Sequence, residues 1–395
     1  MKDMISSLSG VDVQKFIASN EQADVQKLLL KHKEILGVPA VWVAQQIQGR
    51  RKAKERLPAW YNMPGIIYPP AINLEQCSSQ ISAMYKLLLV RGHHAADLTG
   101  GFGVDAYYLS QVFSIVDYVE PDEELLKIAK HNHELLGALN ISYHHMTAEG
   151  FLRESRMAFD LFYADPSRRE GSRKVIRLED SIPDIVSLKS ILLKKAHHVL
   201  IKSSPLLDLK HAYQELKKVD QFIVLAVENE CKELLIGLRN ESSEEPTIHA
   251  VDLDKQGDPM PFAFTWSQEK RTHPGFSAPL AYLYEPNAAI LKAGAFKLVG
   301  ETFGLKKLAP DTHLYTSNEK VREFPGRLFK VTELVRLDKK LKMKFSGGYV
   351  NILRRNHPLS VEEIIRKTGL QEGGERYLIC TRGEKTLALI AERLR

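Results

Sequence analysis

An α/β fold built on a doubly wound, mostly parallel sheet is what this sequence predicts for its central part, on two observations. From His93 to Leu253, short apolar stretches of strand length alternate with helical patterns, and the first stretch runs into three glycines within four positions, DLTGGFGVDAYYLS (97–110). Alternation of this kind requires crossover connections, which place parallel strands in the middle and helices on both faces. With 395 residues, 44% of them hydrophobic and 26% charged, the chain has ordinary globular composition and length enough for two or three domains.

The elements follow in order. Residues 11–47 repeat apolar positions at helical spacing, as in VQKLLLKHKEIL, with a break at Gly37 to Pro39, so residues 1–73 are expected to be a helical region. A charged run, GRRKAKERLPAW (49–60), is followed by the Pro- and Gly-rich NMPGIIYPPAINLEQCSSQ (62–80), which reads as irregular, with Asn73 or Ser78 as a cap for a helix through SAMYKLLLV. The strands of a domain spanning 74–250 are then HHAADL, SIVDYVE, ISYHHM, FDLFYA, HHVLIKS, QFIVLAV and TIHAVDL, with DEELLKIAKHNHELLG and KSILLKKA among the helices between them. Residues 251–324 read as a Pro-, Gly- and charge-rich linker followed by a small α+β subdomain, a ferredoxin-like arrangement being one possibility. In residues 325–395 strands surround one well-marked helix, where Ser360 and Glu363 fit a capping box.

Composition excludes several classes. No apolar stretch has the length of a bilayer span or of a signal-peptide core, so a cytoplasmic protein is expected. Cys77, Cys231 and Cys380 are too widely separated for a zinc site or a disulfide framework. The pairs His93/His94, His144/His145 and His197/His198 each sit within a strand, where adjacent rings point to opposite faces, so no metal is expected. The net charge of +6 is unevenly spread: residues 321–395 hold 17 Lys and Arg against 9 Asp and Glu. That basic segment is suited to a polyanionic partner, a solvated basic face being the alternative.

The glycines lie at a strand-to-helix turn, where open α/β sheets bind ligands because glycine lets the backbone approach them closely. Gly101, Gly103 and Ala106 satisfy the dinucleotide spacing. Asp97 favours a different ligand: a carboxylate at the end of the first strand opposes a pyrophosphate but suits the ammonium or sulfonium of S-adenosylmethionine. Glu120, ending the second strand, can accept from two ribose hydroxyls in either case. FDLFYADPSRR decides between them, because Asp165 and Pro166 end the fourth strand where a transferable methyl group would lie, an element dehydrogenases do not need.

DLTGGFG, VEPD and ADPSRR together resemble class I S-adenosylmethionine-dependent methyltransferases. LEQCSSQISAMYK, YEPNAAILKAGAF, DTHLYTS and FPGRLFKV are similar to the bacterial group with a THUMP-like C-terminal part, a likeness that covers most of the chain from Leu74 onward. The fold this implies is a Rossmann-like methyltransferase domain with an N-terminal helical region and a C-terminal α+β THUMP-like region. By the same resemblance Asp97, Thr99, Gly100, Gly101, Phe102 and Gly103 would surround the methionine part of the cofactor and Glu120 the ribose. Pro121, Ala148 and Glu149 would flank the adenine beside Thr147, which stands where many such enzymes have an acid, and Gln76 would close the pocket. Asp165 and Pro166 would face the transferred methyl group, with Asp165 as a possible general base. Ser167 and Arg168 stand where the amine-methylating pattern usually has a proline and an aromatic residue, and Arg168 and Arg169 suit a phosphate.

THUMP domains bind RNA, and by analogy Lys340, Lys342, Arg354 and Arg355, interleaved with Phe345 and Tyr349, would contact tRNA or rRNA. The expected activity is in-line methyl transfer to structured RNA. Two alternatives stand beside it: a non-catalytic protein that binds the cofactor and RNA, and a methyltransferase for a protein or small molecule.

Overall fold

A computed structural model describes residues 4–168, 177–241 and 244–394. The chain divides into two compact units, Met1–Gln221 with Leu234–Glu244, and Phe222–Glu233 with Glu245–Arg395.

The first unit opens with short helices and the long helix α1 (Ala40–Arg56), whose buried face carries Val43, Ala44 and Ile47. Its basic run is largely engaged: Arg50 reaches Glu21 at 3.2 Å, Arg51 meets the carbonyls of Glu21 and Ala23, and Arg56 that of Cys77. Trp60, fully buried, packs its ring 4.8 Å from that of Phe102 in the glycine turn. One apolar core therefore runs from the N-terminal helices to Phe102, Val104, Tyr108 and Ile128. The loop between them is clamped, for Asn132 exchanges hydrogen bonds with both backbone groups of Ile67, at 2.9 and 2.8 Å.

The strands are β1 (Gly92–Asp97), β2 (Phe113–Val119), β3 (Ile141–His144), β4 (Phe159–Ala164) and β5 (Ala196–Ser203), all at or within the expected apolar stretches. β6 (Val219–Val227) and β7 (Glu230–Leu238) contain the points at which the two units divide. Within the first unit the order is β7-β5-β4-β1-β2-β3, parallel except for β7, which runs antiparallel to β5. β1 is thus central, and its Ala95 and Ala96 are fully buried, as expected of a strand covered on both faces. Helices α2 (Gln80–Lys86), α3 (Val104–Leu109), α4 (Glu123–Leu135) and α5 (Ala148–Glu154) precede or link the first strands.

β7 was not expected. The turn before it has positive φ at Glu228 (51°) and Asn229 (65°), the backbone of a two-residue hairpin, but without the glycine that usually marks one.

In the second unit β8 (Thr247–Leu253) pairs antiparallel with β9 (Pro259–Phe264), so a strand occupies part of the segment whose texture suggested a linker. The remaining strands are β10 (Tyr282–Pro286), β11 (Lys306–Ala309), β12 (Thr312–Ser317), β13 (Gly326–Val335), β14 (Tyr349–Arg354), β15 (Gln371–Arg382) and β16 (Thr386–Arg393). They form one sheet in the order β11-β12-β10-β13-β16-β15-β14. β14 and β15 are parallel and joined through Val361–Thr368, the helix with the expected Ser360/Glu363 capping box. Among the described residues no helix is long and apolar enough to cross a membrane.

Replacing Trp60 by Ala removes the ring that Phe102 packs against. It is expected to destabilise the protein by about 3–5 kcal/mol, read as a lowered urea midpoint.

Candidate functional site

The turn after β1 calls for glycine through close contacts at Gly100 and Gly103 and through positive φ at Gly101 and Gly103. Gly100 donates its N–H to the carbonyl of Val119 at 2.9 Å, and a Cβ on it would collide with the ring of Tyr118. Gly101 and Gly103 have φ of 55° and 86°, and a Cβ on Gly103 would stand 2.6 Å from Nε2 of His133. Tyr118 donates its hydroxyl to the carbonyl of Gly101 at 2.6 Å. His133 donates from Nε2 to that of Gly103 at 2.8 Å, and burial pulls its pKa down to about 4, which keeps the ring neutral.

Four acids converge beside this turn. Asp97 is buried, and burial together with Asp105 pushes its carboxyl up to about 8, against the opposing N–H of Thr99 at 3.0 Å. Glu120 accepts from the N–H of Gly101 at 2.7 Å and of Asp122 at 2.9 Å, one on each oxygen; burial raises its pKa although both bonds oppose the shift. Asp165 is paired with the ammonium of Lys202, which also donates to the carbonyl of Gln76 at 3.3 Å. Burial raises the Asp165 pKa while Lys202 works to lower it. Burial likewise opposes ionisation of Asp105, but Lys86 and Lys202 hold its pKa below the ordinary value. Lys86 lies 2.7 Å from Oδ1, and Ser78 and Tyr163 donate to Oδ2 at 2.7 and 2.9 Å.

The cleft so formed has a volume of about 310 Å³. Every residue to which the resemblance gave a cofactor role lines it, from Gln76 and Asp97 through Gly103 to Glu120, Pro121, Ala148 and Glu149. Thr147 lines it too, although its hydroxyl accepts from Gly150 N–H at 3.2 Å as the cap of α5. Asp165 and Ser167 form its far side with Ile182 and Pro183. Pro166 adjoins the cleft without lining it. Thr99 links the two ends, since its hydroxyl oxygen accepts the Asp165 N–H at 2.6 Å.

Sequence reasoning did not single out Lys202, Lys86 or Asp105, and it offered Asn73 or Ser78 as the cap of α2, a role that Ser79 fills by accepting from the N–H of Ser82 at 3.2 Å. Lys202 left a trace as the lone charge in the apolar stretch HHVLIKS. It also missed that His94 and His144, one from each of two histidine pairs, meet the two oxygens of Asp117, each at 2.7 Å. Among the described residues no group of three or more metal-binding side chains has the geometry of a site.

The expected RNA contacts are placed as follows. Arg168 pairs in a short ribbon with Ser181, and Arg169 lies outside the described residues. Lys340 and Lys342 are exposed in a 3-10 turn. Arg354 donates to the carbonyls of His357 and Leu359, at 3.0 and 2.9 Å from Nε, and Arg355 pairs with the buried Glu285. Both guanidinium groups thus have internal work. Tyr349 is exposed, whereas Phe345 is buried under Arg376.

Comparison with known proteins agrees with this layout. A ferredoxin-like domain family matches residues 282–325, and a THUMP domain-like family matches residues 326–393. A crystal structure of a candidate methyltransferase from Porphyromonas gingivalis W83 is 30% identical at a TM-score of 0.87, covering 98% of each chain. A candidate methyltransferase from Streptococcus mutans in complex with S-adenosylhomocysteine is 14% identical at a TM-score of 0.31, covering 41% of this chain and 98% of its own. An rRNA methylase from Streptococcus thermophilus is likewise 14% identical at a TM-score of 0.29, covering 40% and 93%. These last two are too distant to add to the argument. No curated protein matches the sequence. With a relative this similar along its whole length, and with the THUMP-like match at its end, the chain belongs to the class I S-adenosylmethionine-dependent methyltransferase family, in the group that carries a THUMP-like C-terminal domain.

Proposed function

We propose that the protein is an active methyltransferase whose substrate is structured RNA. The observation that carries the reading is the meeting in one cleft of the glycine turn, the buried Asp97 and Glu120, and Asp165 at the end of the adjacent strand. The residues present fit S-adenosylmethionine. Asp97, burdened by burial and by neighbouring acids, gains from a cationic ligand, and Glu120 keeps a lone pair on each oxygen for ribose hydroxyls. Bound there, the cofactor supplies an electrophilic methyl group. The chain's own task is then alignment of the acceptor, which can contribute much of the acceleration. Asp165, whose carboxylate pairs with Lys202 and whose backbone N–H donates to the Thr99 hydroxyl oxygen, would orient the acceptor and take its proton.

Support for RNA comes from the basic C-terminal segment and the THUMP-like match to it. Lys340 and Lys342, exposed in their turn, are the first residues of that segment to test.

Because the Asp97 carboxyl sits at about 8, at pH 7 it is mostly protonated and must ionise to meet a cation. Calorimetry in buffers of different ionisation enthalpy is expected to show proton release on S-adenosylmethionine binding at pH 7, with affinity rising as pH approaches 8. Asp97→Asn should weaken binding and remove the release attributable to this group; unchanged release would clear Asp97 of the role. Transfer of tritiated methyl groups to total RNA tests the activity: label confined to protein or small molecules would end the RNA reading, and none anywhere would end the enzymatic one. RNA binding should weaken about a hundredfold between about 50 and about 200 mM salt if about four phosphates are contacted, and less in a Lys340→Ala/Lys342→Ala variant.

A further inference from the structure

The acid at the methyl-transfer end of the cleft carries a cation. Lys202, at the carboxyl end of β5, is 7% exposed and pairs with Asp165 at the end of β4, while its link to the Gln76 carbonyl fixes it from the other side. Behind this couple stands a second one, Lys86 on Oδ1 of Asp105, with Ser78 and Tyr163 donating to its Oδ2. Among the described residues the lining offers no aromatic face on which a nucleobase could stack. Phe102 is its one aromatic among the described residues, and that ring is turned into Trp60 and Tyr68.

We infer that the methyl acceptor is a hydroxyl, in RNA the ribose 2′-hydroxyl, and that Lys202 is the positioning residue that holds Asp165 ready to take its proton. This rests on the methyltransferase reading above and narrows it. The sign of the charge developing on the acceptor decides between the classes. A base nitrogen becomes positive as it attacks the methyl carbon, and an ammonium at its side opposes that change. A hydroxyl oxygen becomes negative as it yields its proton, and the same ammonium favours it. Within an RNA chain the ribose 2′-hydroxyl is the alcohol that each internal nucleotide offers. The atoms balance: the O–H proton passes to the Asp165 carboxylate and the oxygen pair forms the new C–O bond. The C–S bond breaks with its electrons kept on sulfur, so the sulfonium leaves as a neutral thioether.

The test locates the methyl group and titrates the couple. RNA labelled by the full-length protein is hydrolysed in alkali and its nucleosides are identified by mass spectrometry. Methyl on the 2′-oxygen, with alkali-resistant dinucleotides, is the expected result. Methyl on a base overturns the inference and leaves the methyltransferase reading intact; no methyl in any RNA overturns the inference together with the RNA reading, and no methyl on any acceptor removes the enzymatic reading as well. Lys202→Met should lower labelling about a hundredfold at unchanged S-adenosylmethionine affinity, with Lys202→Arg recovering most of it. Equal rates in Lys202→Met and the native protein would overturn the role of Lys202.

A readout without cofactor or RNA is the carboxyl resonance of Asp165 in protein containing carbon-13 aspartate, identified by its loss in Asp165→Asn. It should titrate at higher pH in Lys202→Met, because Lys202 lowers this pKa, and the difference should shrink in Lys202→Arg. An unmoved titration in both variants counts against the coupling.

Discussion

The contact between Gly100 and the ring of Tyr118 is the constraint on which the site depends. Tyr118 is fully buried in β2 and directs its hydroxyl to the next glycine's carbonyl, so the turn is held both against the ring and by its hydroxyl. That fixes the N–H of Gly101 on Glu120 and leaves Phe102 projecting away from the cleft into the N-terminal core. The N-terminal helices therefore form the wall behind the turn, and the geometry of the turn and the stability of that wall are one problem.

Electrostatics in the cleft follows from burying more acid than base. Asp97 and Glu120 are raised by desolvation, whereas Asp105 is held low by Lys86 and Lys202. The contrast separates two kinds of carboxylate within one cavity. Asp105, facing both lysines, is satisfied from within, whereas Asp97 and Glu120, bonded by backbone N–H groups and, for Asp97, by the Thr99 hydroxyl, have most to gain from a ligand that brings positive charge or hydroxyl donors. Lys202 belongs to both networks, since it is bonded to Asp165 and close enough to influence Asp105.

In the second unit the same principle limits what net charge can say. Glu285 is 2% exposed between Arg327 and Arg355, so part of the segment's positive excess neutralises a buried acid in place of facing solvent. Arg354 holds the loop before the crossover helix by its two carbonyl contacts. The lysines of the 339–344 turn remain on the surface, as do Arg336, Arg366, Lys367, Arg382 and Lys385, and these are available to a polyanion.

Local pattern determined much of this protein. The strand-to-helix alternation, the glycine turn, the acids at the ends of β1, β2 and β4, and the Ser360 cap were all legible because each depends on neighbours a few residues away. Strand β7 was not, since a Glu-Asn turn lacks the usual glycine and the stretch is bounded by charge. The meeting of Asp165 with Lys202, of Lys86 with Asp105, and of His94 and His144 on Asp117 was decided only by tertiary structure. These residues are 19 to 37 positions apart: Asp165 with Lys202, and the histidines with Asp117, meet through the order and register of the sheet, and Lys86 meets Asp105 through the packing of α2 against α3. Periodicity tells which face a side chain takes, but not which distant residue lies beside it. That is set when parallel strands align, and here it determines which carboxylates carry a cation and which await one.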